Sequence, residues 1–326
     1  MPAEAGRETR SDGEATRRLR WRQSLIGGVA LLAVYLCWGS TYNAIAVGDR
    51  TVPPLLFIAV RFLIAGVVLL PLAGRRTRPW QVPPRQWRST AISGVLMLAG
   101  GTGLVAVGER TVPGGVAALL VATTPIWMLL PGILRHPRTL RLATVAGIGI
   151  GLGGVVVLLA PSGRSHVDLL GAGTVLLSAM AWAAGALHSR RADEPTDPLL
   201  ASAMQMLAAG VVLLVAALST GELGQVALTA FGWSGGLALG WLVTVGSLVG
   251  FSAYLTALRL LPLQLVSTHA FVNPLVAVLI GATLFGSALT LQVGLAAGLT
   301  VTAVAVLLLP ARGRGRGRAA TSADSG

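Results

Sequence analysis

Stretches of about twenty apolar residues recur along the whole of this chain, and no other feature narrows its possible folds as much. A hydrocarbon core about 30 Å thick takes about 20 helical residues to cross. The runs predict ten spans, at roughly 25–47, 53–73, 89–108, 113–134, 142–161, 169–188, 198–218, 234–257, 262–284 and 290–310. Each is expected to be helical, because lipid offers backbone N–H and C=O groups no partner and a helix pairs them internally. Of the 326 residues 54% are hydrophobic and only 11% charged, whereas a soluble domain carries about 25% charged residues. The fold class is therefore an all-α, polytopic membrane protein. Its connections are short and carry Gly, Pro or charge, as in "GDRTVPP", "GERTVPG", "RHPRTLR" and "PSGRSHVD".

The net charge of +13 comes from Arg alone, since the chain has no Lys. Arg distribution sets the expected orientation. With the N-terminus inside, the cytoplasmic segments hold 21 of the 25 arginines, the outer ones hold Arg50, Arg110 and Arg164, and Arg61 is the last. Both termini are thus expected in the cytoplasm. The "RGRGRGR" tail reads as part of this positive-inside bias, with no nucleic-acid partner. Cys37 is the single cysteine, which rules out an internal disulfide and a cysteine metal cluster. The first run is too long for a signal-peptide core and reads as an uncleaved span.

The chain also matches itself. A shift of 144 lays Trp38 on Trp182, the "PLL" of 54–56 on that of 198–200, and the "AGVVLL" of 65–70 on that of 209–214. A shift of 149 lays Arg110 on Arg259, Pro113 on Pro262, Pro125 on Pro274, Gly132 on Gly281 and Pro161 on Pro310. A five-span unit is expected twice, at 25–161 and 162–310, between a basic tail at 1–24 and an Arg/Gly-rich tail at 311–326. Five is odd, so the second unit is expected upside down. Inverted repeats of this kind place a site near the midplane and work by alternating access.

"WGSTYNAIAVG" in span 1, "AVRFLIAG" in span 2, "GSLVGFSAYLTALRLLP" in span 8 and "VNPLVAVLIGATLFG" in span 9 resemble the EamA-type transporters of the drug/metabolite transporter superfamily. The resemblance covers about 25–310. It implies a ten-helix secondary transporter that exports small metabolites, amino acids or drug-like compounds from a central cavity, without a cofactor. The family often carries a Gly-Glu pair after spans 4 and 9. Here those places read Pro137-Arg138 and Gly286-Ser287, so the role of that glutamate does not transfer.

Several residues are candidates for the cavity. Arg61 sits within span 2, roughly 12 Å from its outer end at about 1.5 Å per residue. Its candidate partners are Asp49 or Glu109 near the outer ends, backbone carbonyls, hydroxyls or an anionic substrate group; a strut tied to carbonyls and a loop acid is preferred over a counter-charge for substrate. Gln205 is its match in the second repeat. No Asp or Glu falls within the predicted spans away from their ends, so His269 and His188 are the candidates for a proton relay; exchange or facilitated diffusion fits the lack of acids equally well. Pro125 and Pro274 occupy matched places, and each frees the carbonyl four residues earlier. Beside these breaks stand Thr123, Thr124 and Asn273, with Asn273 one turn from His269. Trp38, Thr41 and Tyr42 share one face of span 1, with Trp182 matching Trp38. Tyr254, in the span 8 motif, completes the substrate-site set.

Gly149, Gly151 and Gly154 spell G-x-G-x-x-G, but inside an apolar span and without the strand a dinucleotide site needs. Gly147, Gly149, Gly151, Gly153, Gly294 and Gly298 instead read as close-approach positions between helices. An intramembrane enzyme would need a nucleophile with a base, or a metal cluster, at one depth. A receptor would need a larger soluble part. Neither is visible, and no metal site is expected. The expected partners are a small-molecule substrate and the bilayer, with the protein a monomer or homodimer.

Overall fold

Proline starts several of the helices. It leads the helices at Pro54, Pro84 and Pro198, and Pro113 and Pro262 immediately precede two more. Its fixed φ suits the first helical turn, where its missing N–H would have had no partner. Asp168 caps another helix and Asp197 caps the one led by Pro198, accepting from the Gly171 N–H at 2.8 Å and the Leu199 N–H at 2.9 Å. At the other end of that second helix the chain turns through Gly221, whose φ of 73° is the left-handed conformation glycine adopts without strain.

The computed structural model describes residues 2–48, 52–73, 79–135, 141–159, 168–226, 228–285 and 290–308. All regular structure in them is helical. Ten helical segments are long and apolar enough to cross a membrane, numbered here as spans 1 to 10: Trp21–Thr41, Pro54–Ala73, Pro84–Gly108, Val116–Arg135, Leu142–Leu159, Leu169–Ser189, Pro198–Ser219, Gly232–Leu260, Leu263–Thr283 and Leu291–Leu308. Span 3 begins before its predicted start, since "PRQWR" continues the helix, and the helix that leads into span 8 kinks at Gly232, whose φ is 47°. The backbone of the basic N-terminal tail is helical from Pro2 and runs into span 1. Its Ala, Glu and Arg residues are good helix formers, and span 1 supplies the nucleus they extend. The tail after 308, and the Pro137-Arg138 and Gly286-Ser287 positions, lie outside the described residues.

Span 2 packs along span 7 and span 5 along span 10, while span 1 meets spans 8 and 9 and span 6 meets spans 3 and 4. Glycine allows the closest of these approaches. A Cβ on Gly66 would fall 2.7 Å from Leu207, and one on Gly210 would fall 2.8 Å from Leu63. These contacts are reciprocal, because the shift of 144 carries Gly66 onto Gly210 and Leu63 onto Leu207. In span 5, Gly147, Gly151 and Gly154 press on Leu307, Phe271 and Thr300. The other expected close-approach positions do not pack: a Cβ at Gly149, Gly153, Gly294 or Gly298 would meet nothing within 4 Å. One helix face packs, at i, i+4 and i+7, and these four glycines lie off it.

Candidate functional site

Two stretches of spans 3 and 8 are wound as π-helix, Val95–Gly103 and Leu242–Phe251. Such wide turns re-aim a helix face and recur at functional sites. Here they present glycines to two tryptophans. A Cβ on Gly101 would lie 2.7 Å from the Trp182 ring, and one on Gly250 would lie 2.7 Å from Trp38 Nε1. These contacts too are reciprocal, since the shift of 149 carries Gly101 onto Gly250. With no side chain in the way, Trp38 and Trp182 reach each other edge to face, with centroids 5.5 Å apart at 83°. Trp38 donates Nε1–H to the Gly246 carbonyl at 3.0 Å, and Trp182 donates to the Tyr254 hydroxyl at 3.0 Å. Tyr254 and the His269 ring meet both indoles at 5.2–6.1 Å, and Phe251 stacks on Tyr254 at 6.1 Å.

This aromatic cluster floors a cavity of about 460 Å³, within the range of about 300–1,000 Å³ usual for small-molecule sites. From the floor it extends to Glu109, Gly114 and Leu159 at the Arg-poor ends of spans 3, 4 and 5. Below the floor, toward the Arg-rich end, Tyr35 of span 1 hydrogen-bonds Thr268 of span 9. Trp38, Thr41, Arg61, Thr124, Trp182, His269, Asn273 and Pro274 all line the cavity. Tyr254 lies just beneath the floor, fully buried.

Two lining residues carry polar atoms with no partner among the described residues, His269 Nε2 and Asn273 Oδ1, both on span 9 and both buried. Their i, i+4 spacing puts them on one face, as the sequence implied. A buried polar atom left unpaired costs about 1–3 kcal/mol.

Arg61 is 8% exposed. Its Nε–H donates to the Ser247 hydroxyl at 2.8 Å, and its guanidinium carbon stands 5.3 Å from the Phe62 ring. Among the described residues no carboxylate forms an ion pair with it. The preferred strut, made of carbonyls and a loop acid, is replaced by a single hydroxyl of span 8. Asp49 falls outside the described residues, and Glu109 lines the cavity elsewhere.

Other expectations need correction. Thr123 does not line the cavity: its hydroxyl donates to the Leu120 carbonyl at 2.6 Å and accepts from Trp127 Nε1 at 3.1 Å. The Tyr42 side chain lies outside the described residues. The helix breaks are offset from each other. Span 4 interrupts at Ala122–Thr123, just before Pro125, and the Val121 carbonyl released there accepts from Thr124 Oγ1 at 2.5 Å. Span 9 interrupts at Ser267–Thr268, well before Pro274, which sits inside a continuing helix.

Gln205 and His188 belong to a different cluster, at the Arg-rich end. Its centre is Glu194, in the connection between spans 6 and 7. Glu194 is 8% exposed and accepts from Ser93 at 2.5 Å, Ser189 at 2.8 Å and Gln205 Nε2 at 3.2 Å, with Arg259 at 3.7 Å. His188 Nδ1 meets the Ser93 hydroxyl at 2.9 Å. Burial raises the Glu194 carboxyl above its ordinary range, opposed by its hydrogen bonds from Ser93 and Ser189 and by the charges of Arg259 and His188. At the Arg-poor end a second buried acid, Glu222, pairs with Arg110 and accepts the Leu56 N–H at 2.9 Å. The absence of buried acids inferred from the sequence is thus overturned at both ends, since residues beside the spans fold back between them. Arg110 and Arg259, matched by the shift of 149, mark these two acids. No group of three His, Cys, Asp or Glu side chains among the described residues is arranged to hold a metal.

The sequence profile of the EamA-like transporter family matches residues 25–160 and 169–309. The inner membrane transporter YedA of Escherichia coli is 40% identical over 286 residues, covering 87% of this chain and 90% of YedA. The transporter YvbV of Bacillus subtilis is 27% identical, covering 83% of this chain and 87% of its own. A probable amino-acid metabolite efflux pump of Escherichia coli is 27% identical over half of this chain and 53% of its own. A solved crystal structure shares the fold with a TM-score of 0.70 at 22% identity, covering 88% of this chain and 96% of that one.

Proposed function

This chain belongs to the EamA-like transporter family, and we propose that it exports small metabolites, amino acids or drug-like compounds across the bacterial inner membrane by alternating access. Membrane transport itself follows from the family. Export and the substrate range are supported by the efflux pump among its relatives. The observation that carries the mechanism is the cavity, floored by Trp38 and Trp182 and lined by His269 and Asn273. A core built only for packing would not leave a space of this size.

The reciprocal pairs Gly66–Leu207 with Gly210–Leu63, and Gly101–Trp182 with Gly250–Trp38, are what a two-fold axis between inverted halves would produce. That axis would pass between the two indoles. Rocking one half about it would open the floor at the Arg-rich end and close the Arg-poor end. With the Arg-rich end cytoplasmic, the structure is the outward-facing state, held shut inside by Tyr35–Thr268 and the Glu194 cluster.

The test is metabolite profiling of medium and cell interior with the protein overproduced, against a variant lacking span 1. A compound enriched outside and depleted inside establishes export and names the substrate class. Accumulation inside the cell instead would refute the exporter reading.

A further inference from the structure

We propose that Arg61 is the anchor for a carboxylate, so that this transporter's substrates are small organic anions with an apolar or aromatic body. The inference rests on the cavity being the transport site and adds the chemistry it selects. A guanidinium has five N–H donors. Among the described residues only Nε–H is used, on Ser247. The Nη groups face a cavity in which no described carboxylate pairs with them. A buried charge without a partner is among the most costly features a membrane protein can carry. The Phe62 ring 5.3 Å away provides only a weak contact of the cation–π kind.

The position is also built. A Cβ on Gly246 would stand 2.6 Å from Arg61 Nη2 and 2.9 Å from Thr41 Cγ2. Glycine there lets the guanidinium lie against span 8. The Gly246 carbonyl accepts from Trp38 Nε1 at 3.0 Å, so the cation stands at the edge of the aromatic floor. A carboxylate would take the free Nη hydrogens, and the apolar body attached to it would lie on Trp38, Trp182 and Phe251. Paired N–H donors on a carboxylate are the strong, oriented case of the charge-assisted hydrogen bond.

The experiment measures binding of three isosteric probes to the purified full-length protein by titration calorimetry: 3-phenylpropionate, 3-phenylpropionamide and 3-phenylpropylamine. The parent is expected to prefer the carboxylate over the amide by about tenfold or more, the scale of hydrogen bonds to a charged group, and to bind the amine weakest. Arg61→Gln should remove that preference. Arg61→Lys should retain part of it, since the charge remains but the planar fork is lost. Equal or tighter binding of the amide or amine by the parent overturns the proposal without any variant, as does a preference that survives Arg61→Gln. Lack of binding by all three probes overturns it as well. Binding and transport fail separately: if profiling finds an exported amine or neutral compound, the anion proposal falls and the transporter reading stands. If profiling finds nothing exported while the carboxylate preference holds, the reverse follows.

Discussion

The fit of Trp38 on span 8 can be tested by adding one carbon. In an open helical position, Gly→Ala stabilises by about 0.5–1 kcal/mol because alanine loses less backbone entropy. Gly149, where a Cβ meets nothing within 4 Å, should behave that way. At Gly250 the new Cβ would lie 2.7 Å from Trp38 Nε1, 2.9 Å from Cδ1 and 3.0 Å from the Val245 carbonyl. Ordinary carbon contacts are about 3.5–4.0 Å, so the indole must retreat by close to an ångström. Overpacking of this kind costs about 1–3 kcal/mol. The retreat also breaks the hydrogen bond from Trp38 to Gly246, a further ~1 kcal/mol. After the backbone gain, Gly250→Ala should come out destabilised by about 1–3 kcal/mol. The assay is thermal unfolding in detergent followed by tryptophan emission, with export measured alongside. Gly149→Ala should raise Tm, whereas Gly250→Ala should lower it and reduce export. If Gly250→Ala raises Tm as Gly149→Ala does and exports normally, the tryptophan seat is slack and the floor is not built as described.

Three more outcomes are expected. Burial raises the Glu194 carboxyl, so folded protein binds its proton more readily than unfolded chain; the stability this contributes is complete below the ordinary glutamate range and is lost as pH rises through the elevated value. Tm measured against pH should therefore decline across that window in the parent and decline less in Glu194→Gln; identical slopes would show that Glu194 is not responsible. Glu222→Ala leaves the Leu56 N–H at the start of span 2 without its acceptor and Arg110 without its ion partner, which should cost about 1–3 kcal/mol and show as a lower Tm. His269→Phe and Asn273→Leu remove polar atoms that have no partner among the described residues. Both should keep or raise Tm while export falls at least about tenfold, a loss consistent with one good polar contact; undiminished export would take those atoms out of the substrate's path.

Helix number and class, the first-half and second-half matches and the polar and tryptophan part of the cavity lining were legible in the residues. Composition and run length dictate spans because lipid enforces helices, and that constraint acts segment by segment without any tertiary information. Trp38, Arg61, Trp182, His269 and Asn273 could be singled out because polar or large aromatic groups deep in apolar runs are costly unless they do something there. The residues that seat them were missed. Gly101, Gly246 and Gly250 look like any membrane glycine, and only their spacing under the shift of 149 could have marked the first and last.

What the sequence by itself determined is the set of helices and the repeat that places Trp38 opposite Trp182. Which neighbour each side chain meets was decided only by the tertiary structure. Arg61 took a hydroxyl 186 residues away where a loop acid was expected. Gln205, matched to it by the repeat, took Glu194 at the far end of the bundle. Periodicity and repeats fix a residue's place along and around its own helix. Hydrogen-bond partners depend on how helices slide and rotate against each other, and packing between distant parts of the chain settles that.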